Sequence, residues 1–188
     1  SAVAGYPDPD PASRRRWKLT YDFSTADRMG PPVPYDEADG ANTGQYSLLL
    51  SECFDKVYSF EPVSEFRGLL AQNLQMNHIR NVEVVPMALG ADQREVEMAL
   101  LNHYGQPQTA SVNSGAYSFH DPFEWRFQKS ESISLDRFVE MKGLRSLDYV
   151  KIDTDGSEHE ILMGGEKAIG RFQPIIQVEL MQDAKKWK

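Results

Sequence analysis

The chain has 188 residues, 40% hydrophobic and 26% charged, with a formal net charge of −8. Length and composition point to one globular domain with one core and exclude a collagenous, coiled-coil or wholly disordered chain. Acidic charge repels polyanions, so no nucleic-acid partner is expected; no run approaches the roughly 18 apolar residues of a membrane helix and no leader pattern is visible, so no membrane span is expected either.

Residues 1–38 carry Pro7, Pro9, Pro11, Pro31, Pro32 and Pro34 without sustained periodicity, which predicts a partly irregular arm before a domain over 39–188. Arg14, Arg15 and Arg16 lie near Asp8 and Asp10 and read as solvated surface. Tyr46, Leu49, Leu50 and Cys53 then recur at i, i+3, i+4 and i+7 after Asn42-Thr43-Gly44, predicting a helix that opens at a polar glycine turn. Cys53 is the single cysteine, so no intrachain disulfide can form, which fits a cytoplasmic location.

A strand over 57–60 stops at Glu61-Pro62, and Phe66, Leu69, Leu70 and Leu74 mark a second helix. A strand over 82–85 is closed by Pro86. Residues 95–101 alternate charged and apolar, with Val96, Met98 and Leu100 on one face, which predicts a strand toward a sheet edge. Residues 102–128 lack periodicity but hold Tyr104, Tyr117, Phe119, Phe123, Trp125 and Phe127, as in an irregular aromatic insert serving as cap or binding loop or, equally, a satellite core packed on the sheet. Ser134 is expected to cap a short helix bearing Leu135, Phe138 and Val139. A strand over 147–152, one helix over 158–169 with Ile161, Leu162 and Ile169 inward, and a buried strand over 175–180 complete the pattern. Strands alternating with helices predict an α/β fold, a parallel sheet covered on both faces.

In such sheets ligands sit beyond the carboxyl ends of the strands. The glycines of 39–46 permit close backbone approach at a helix mouth, and Glu61, 17 residues beyond Gly44, can accept hydrogen bonds from both hydroxyls of a ribose. Asp153 directly follows an apolar strand at the mouth of the expected cleft, and Glu179 does the same for the next strand; two such carboxylates can hold a cation or remove a proton. Asp155 and Glu158 have a simpler explanation as first-turn charges favoured by the helix dipole. His103 and His120 are weaker candidates for a base. No metal is assigned, because no spacing dictates a ligand geometry.

The segments DGANTGQYSLLLSE, VYSFEPVSEFRGLLAQNLQMN, NVEVVPMALG, SISLDRF, LDYVKIDTDGSEHEILMGG and PIIQVEL fall in one order over residues 39–180. In this they resemble the FkbM-type methyltransferases. The resemblance implies a Rossmann-like class I methyltransferase sheet and S-adenosylmethionine as cofactor. It places Asp39, Gly40, Ala41, Asn42 and Gly44 along the methionine and ribose portion, Glu61 on the ribose hydroxyls, Met87 and Ala88 near the adenine, and Asp153 facing the methyl group's destination. Asp153, with Glu179, is then the catalytic candidate, and the partner is a small hydroxylated molecule, a sugar or a polyketide-type natural product. The family fold closes with a helix and two more strands, whereas eight residues follow Leu180, so those C-terminal strands are expected to be missing from this chain, with a further segment or a homo-oligomeric interface covering the edge. Two other readings stand beside it: a nicotinamide-dependent oxidoreductase, disfavoured because G-x-G-x-x-G spacing is missing, and a degenerate, non-catalytic binding module of the same fold, motivated by Ala38 in the first motif.

Overall fold

Val57, Tyr58 and Phe60 are β-branched or aromatic, as is Val82-x-Val84-Val85, and both runs form buried or half-buried strands. The computed structural model describes residues 18–20, 41, 43–103, 106–111, 124–154 and 156–178. In chain order the elements are β1 (Lys18–Thr20), α1 (Gln45–Cys53), β2 (Val57–Phe60), α2 (Ser64–Met76), β3 (Val82–Val85), β4 (Ala88–Gly90), β5 (Arg94–His103), β6 (Gln106–Ser111), β7 (Glu124–Ser134), α3 (Leu135–Lys142), β8 (Tyr149–Ile152), α4 (Glu158–Gly164), α5 (Glu166–Phe172) and β9 (Ile175–Val178).

The strands form three sheets rather than the single parallel one expected. Parallel strands β1, β2 and β3 pair in that order, and β8 and β9 form a parallel pair. β1 also lies alongside β8. Part of the segment expected as an arm thus enters a sheet, Leu19 pairing with Tyr58. The third sheet has the order β4-β7-β5-β6, with β5 antiparallel to both neighbours. Two expectations fail there. The strand placed at an edge is flanked on both sides, because its outer face of Glu95 and Glu97 reflects one wet side of an antiparallel sheet, not a missing neighbour. The stretch expected as an irregular insert instead supplies the end of β5, all of β6 and the start of β7; Tyr104, Tyr117, Phe119, His120 and Phe123 lie outside the described residues.

Alternation along the parallel strands sorts the core into two faces. Tyr58, Phe60 and Val85 point to the larger cluster, where Phe138 of α3 meets the Tyr58 ring edge-on at 5.1 Å and the Phe60 ring at 4.7 Å. Val150, Ile152, Ile161 and Ala168 join that cluster. On the other face α2 packs Leu70 and Leu74 against Ala41, with Val82 and Val84 beside them. The α3 helix forms as expected: Ser134 Oγ accepts from the Arg137 N–H at 3.2 Å, and Leu135, Phe138 and Val139 are buried.

Three apolar patterns are corrected. On α1 the buried residue is Ser47, while Leu49 is 61% exposed and Cys53 is exposed; Ser47 Oγ meets Ser59 Oγ of β2 at 2.7 Å, so a hydroxyl pair occupies the buried side where the spacing put leucines. Leu69 on α2 is likewise exposed. The single helix over 158–169 is two, meeting at Gly165, because Asp136 of α3 accepts from the backbone N–H groups of Lys167 (3.2 Å) and Ala168 (2.7 Å) and so starts α5 afresh. The final strand is half exposed rather than buried, with Ile175 at 69%, as befits an outer strand.

At the opposite pole from the strand tips, Glu83 of β3 is held by Lys56 (3.0 Å) and by Lys142 of α3 (2.5 Å). Burial pushes its carboxyl up, but the hydrogen bonds and charges of Lys142 and Lys56 outweigh that and hold it below its ordinary value of 4.5. The unfolded chain therefore binds this proton more readily than the folded one. Stability from Glu83 is full above that ordinary value and is lost as pH falls through the depressed folded value. Thermal unfolding followed from about pH 7 down to about pH 3 should show a shallower acid loss for Glu83→Gln than for the native chain; parallel curves would remove Glu83 from the acid response.

Candidate functional site

The polar groups gather at the carboxyl ends of β2 and β8 and at the first turn of α1. Gly44 starts that helix with φ 90°, in the left-handed region, and its N–H donates to the Ala41 carbonyl at 2.6 Å. A Cβ at Gly44 would stand 2.2 Å from Leu70 Cδ1. Asn73 Nδ2 of α2 donates to the Thr43 carbonyl at 2.7 Å, so α2 fixes the turn from outside.

Glu61 follows β2 directly. It is 1% exposed, its N–H donates to the Val85 carbonyl at 3.0 Å, and its Oε1 accepts from the Val63 N–H at 2.8 Å. The carboxylate is thereby clamped by the backbone that leads into α2. Arg67 Nη1 donates to the carbonyls of Glu61 (3.1 Å) and Pro62 (2.6 Å), and Gln128 Nε2 of β7 adds a bond of 3.0 Å to Pro62. Of the adjacent positions, Met87 is half-buried against the larger core, while Ala88 is wholly buried beside Val63 and Phe66.

On β8, Val150 and Ile152 face the larger core, and Lys151, between them, faces the α1 side. Its Nζ lies 2.7 Å from Asp153 Oδ2 and 4.1 Å from the Tyr46 ring centroid. One ammonium thus touches both the first turn of α1 and the acid at the tip of β8. Sequence reasoning placed Asp153 here and missed Lys151; the available signal was a lysine framed by Val150 and Ile152, two positions before an acid. Glu158 serves the turn: its Oε1 accepts from the Thr154 N–H (2.9 Å), the Thr154 hydroxyl (2.9 Å) and the Gly156 N–H (3.0 Å), fixing the backbone that follows Asp153.

Ala41, Gly44, Glu61 and Asp153 are therefore described, the last three on elements that converge through Ser47–Ser59 and Lys151–Tyr46. Asp39, Gly40, Asn42, Asp155, His120 and Glu179 lie outside the described residues, as does the side chain of His103. Among the described residues no cluster of three His, Cys, Asp or Glu is arranged to hold a metal ion, and no helix is long and apolar enough to cross a membrane. Acidic acceptors beside a helix mouth suit a ligand rich in hydroxyl or amino donors.

Comparison with known proteins agrees in kind. Residues 40–187 match the family model of the methyltransferase FkbM domain. The chain is similar in structure to a methyltransferase FkbM from Methylobacillus flagellatus KT, with 17% sequence identity and a TM-score of 0.51, over 74% of this chain and 31% of that one. It thus spans about a third of the length of that relative and shares the fold of the matched part. An rRNA methylase from Streptococcus thermophilus gives 13% identity and a TM-score of 0.44, over 93% of this chain and 67% of that one. No curated protein matches.

Proposed function

Since the chain belongs to the FkbM methyltransferase domain family, we propose that it uses S-adenosylmethionine to methylate a hydroxyl group on a small molecule, a sugar or a polyketide-type natural product, in the cytoplasm. The observation that carries this reading is the convergence of the Gly44 turn, Glu61 and Asp153 at the carboxyl ends of two parallel strand blocks. The donor set fits the cofactor: Glu61 offers a fixed carboxylate for a ribose diol, and Gly44, bonded back to the Ala41 carbonyl, makes a tight turn at the mouth of α1. Met87 and Ala88 border the adenine side in this reading.

When bound, that cofactor supplies a methyl carbon on a positively charged sulfur; the carbon–oxygen bond forms as the carbon–sulfur bond breaks, the electron pair stays on sulfur, and neutral S-adenosylhomocysteine is left. Asp153 accepts the hydrogen bond of the acceptor hydroxyl, orients its oxygen and receives the proton; Glu179, the residue after β9 in the chain, is the second candidate base. Holding the oxygen in line with the methyl carbon is the larger contribution, up to about 7–11 kcal/mol in favourable intramolecular cases.

Incubation with methyl-labelled S-adenosylmethionine and a panel of hydroxylated metabolites, followed by mass spectrometry, should give one methyl per product on oxygen. Failure of S-adenosylhomocysteine to raise the melting temperature, in a protein that NADH does stabilise, would overturn the reading in favour of a nicotinamide enzyme.

A further inference from the structure

Lysine is almost never fully buried unless paired, yet Lys151 is 2% exposed in the middle of β8. A methionine would fill the same volume without the desolvation cost of an ammonium, so the charge calls for an explanation. Its neighbours supply one: Asp153 Oδ2 at 2.7 Å, with the Asp153 side chain 14% exposed, and the face of Tyr46 at 4.1 Å. The ammonium contacts both the ring and the carboxylate, which ties Asp153 at the tip of β8 to the first turn of α1.

We infer that Lys151 is an electrostatic positioning residue, pairing with Asp153 so that a sulfonium bound in the cleft meets a balanced ion pair instead of a bare carboxylate. This rests on the function proposed above and deepens it. Transfer of a methyl group to a neutral hydroxyl disperses the sulfonium charge in the transition state and abolishes it on sulfur in the by-product. A bare carboxylate would stabilise the charged ground state more than the transition state, which slows the reaction and selects the wrong species. Lys151 cancels that preference while keeping Asp153 aimed.

The test reads charge rather than turnover. Dissociation constants for S-adenosylmethionine, which is cationic at sulfur, and S-adenosylhomocysteine, which is not, are measured by titration calorimetry for the native chain, Lys151→Met, Asp153→Asn and the double variant. Removing the lysine should shift relative affinity toward the sulfonium about tenfold, a typical size for one added charge at partly screened range. Asp153→Asn should shift it the other way, and the double variant should return close to the native ratio. Should Lys151→Met fail to fold, the double variant leaves neither charge unpaired, and its ratio against that of Asp153→Asn carries the same shift. Equal weakening of both ligands in the variants overturns the inference and leaves a structural lysine. A native chain that binds neither ligand overturns instead the reading on which it rests.

Discussion

Glu61→Gln should bind S-adenosylhomocysteine at least tenfold more weakly than the native chain while melting within a few degrees of it. The expected loss follows from the proposed ribose contact, where a carboxylate able to accept two hydroxyl donors would be replaced by an amide with one acceptor oxygen; hydrogen bonds to charged groups contribute about 1.5–3 kcal/mol. The near-native melting follows from the local geometry, because the one acceptor that remains can still take the Val63 N–H that Oε1 takes now, at 2.8 Å. Glu61→Ala separates the two duties. It loses the clamp as well, leaves the Val63 N–H without that acceptor at the start of α2, and should lower both affinity and melting temperature. Calorimetric titration beside thermal unfolding checks both variants. If Glu61→Gln keeps native affinity, Glu61 serves only to start α2, and the ribose role passes to another group.

The site was only partly legible in the sequence. Glu61 and Asp153 announce themselves because each ends an apolar run, and a parallel strand that stops on an acid stops at the ligand edge of the sheet. The core of α3 was legible for a related reason: Ser134, Leu135, Phe138 and Val139 give cap and stripe in one short window. What periodicity cannot report is a polar contact across elements. Ser47 lies outside the i, i+3, i+4, i+7 set of α1, and its burial goes with the contact to Ser59, 12 residues away on β2. Lys151 is a charge inside an apolar strand, and its burial goes with contacts to Tyr46 and Asp153. The antiparallel sheet was hidden for another reason. β5 alternates as a half-exposed strand does, but alternation says which face is wet and nothing about which strand lies alongside; the pairing of Val96 with Ser130 is set by the whole chain.

Gly164→Ala should be the most damaging glycine-to-alanine change among the described helical glycines. Gly164 ends α4 and is buried, and a Cβ built there would stand 2.1 Å from the Gly90 carbonyl oxygen and 3.1 Å from Ala91 Cα. Both obstacles are backbone, so no rotamer change relieves them: α4 must move away from β4 or the end of β4 must shift. Either movement reaches the site, since α4 begins at Glu158, whose carboxylate pins the turn after Asp153, and β4 begins at Ala88, three residues after Val85, the end of the strand that holds Glu61 in place. Overpacking of this kind costs about 1–3 kcal/mol when flexible side chains can yield, so a backbone collision should reach about 3 kcal/mol, a drop of roughly 6–12 °C in melting temperature for a domain of this size. Gly170→Ala is the control, because no atom lies within 4 Å of a Cβ there, and replacing an exposed helical glycine should stabilise slightly. Thermal unfolding of both variants decides it. Equal melting temperatures would mean that α4 and β4 part at little cost, and the close approach of this helix to the sheet would then have no part in holding Asp153.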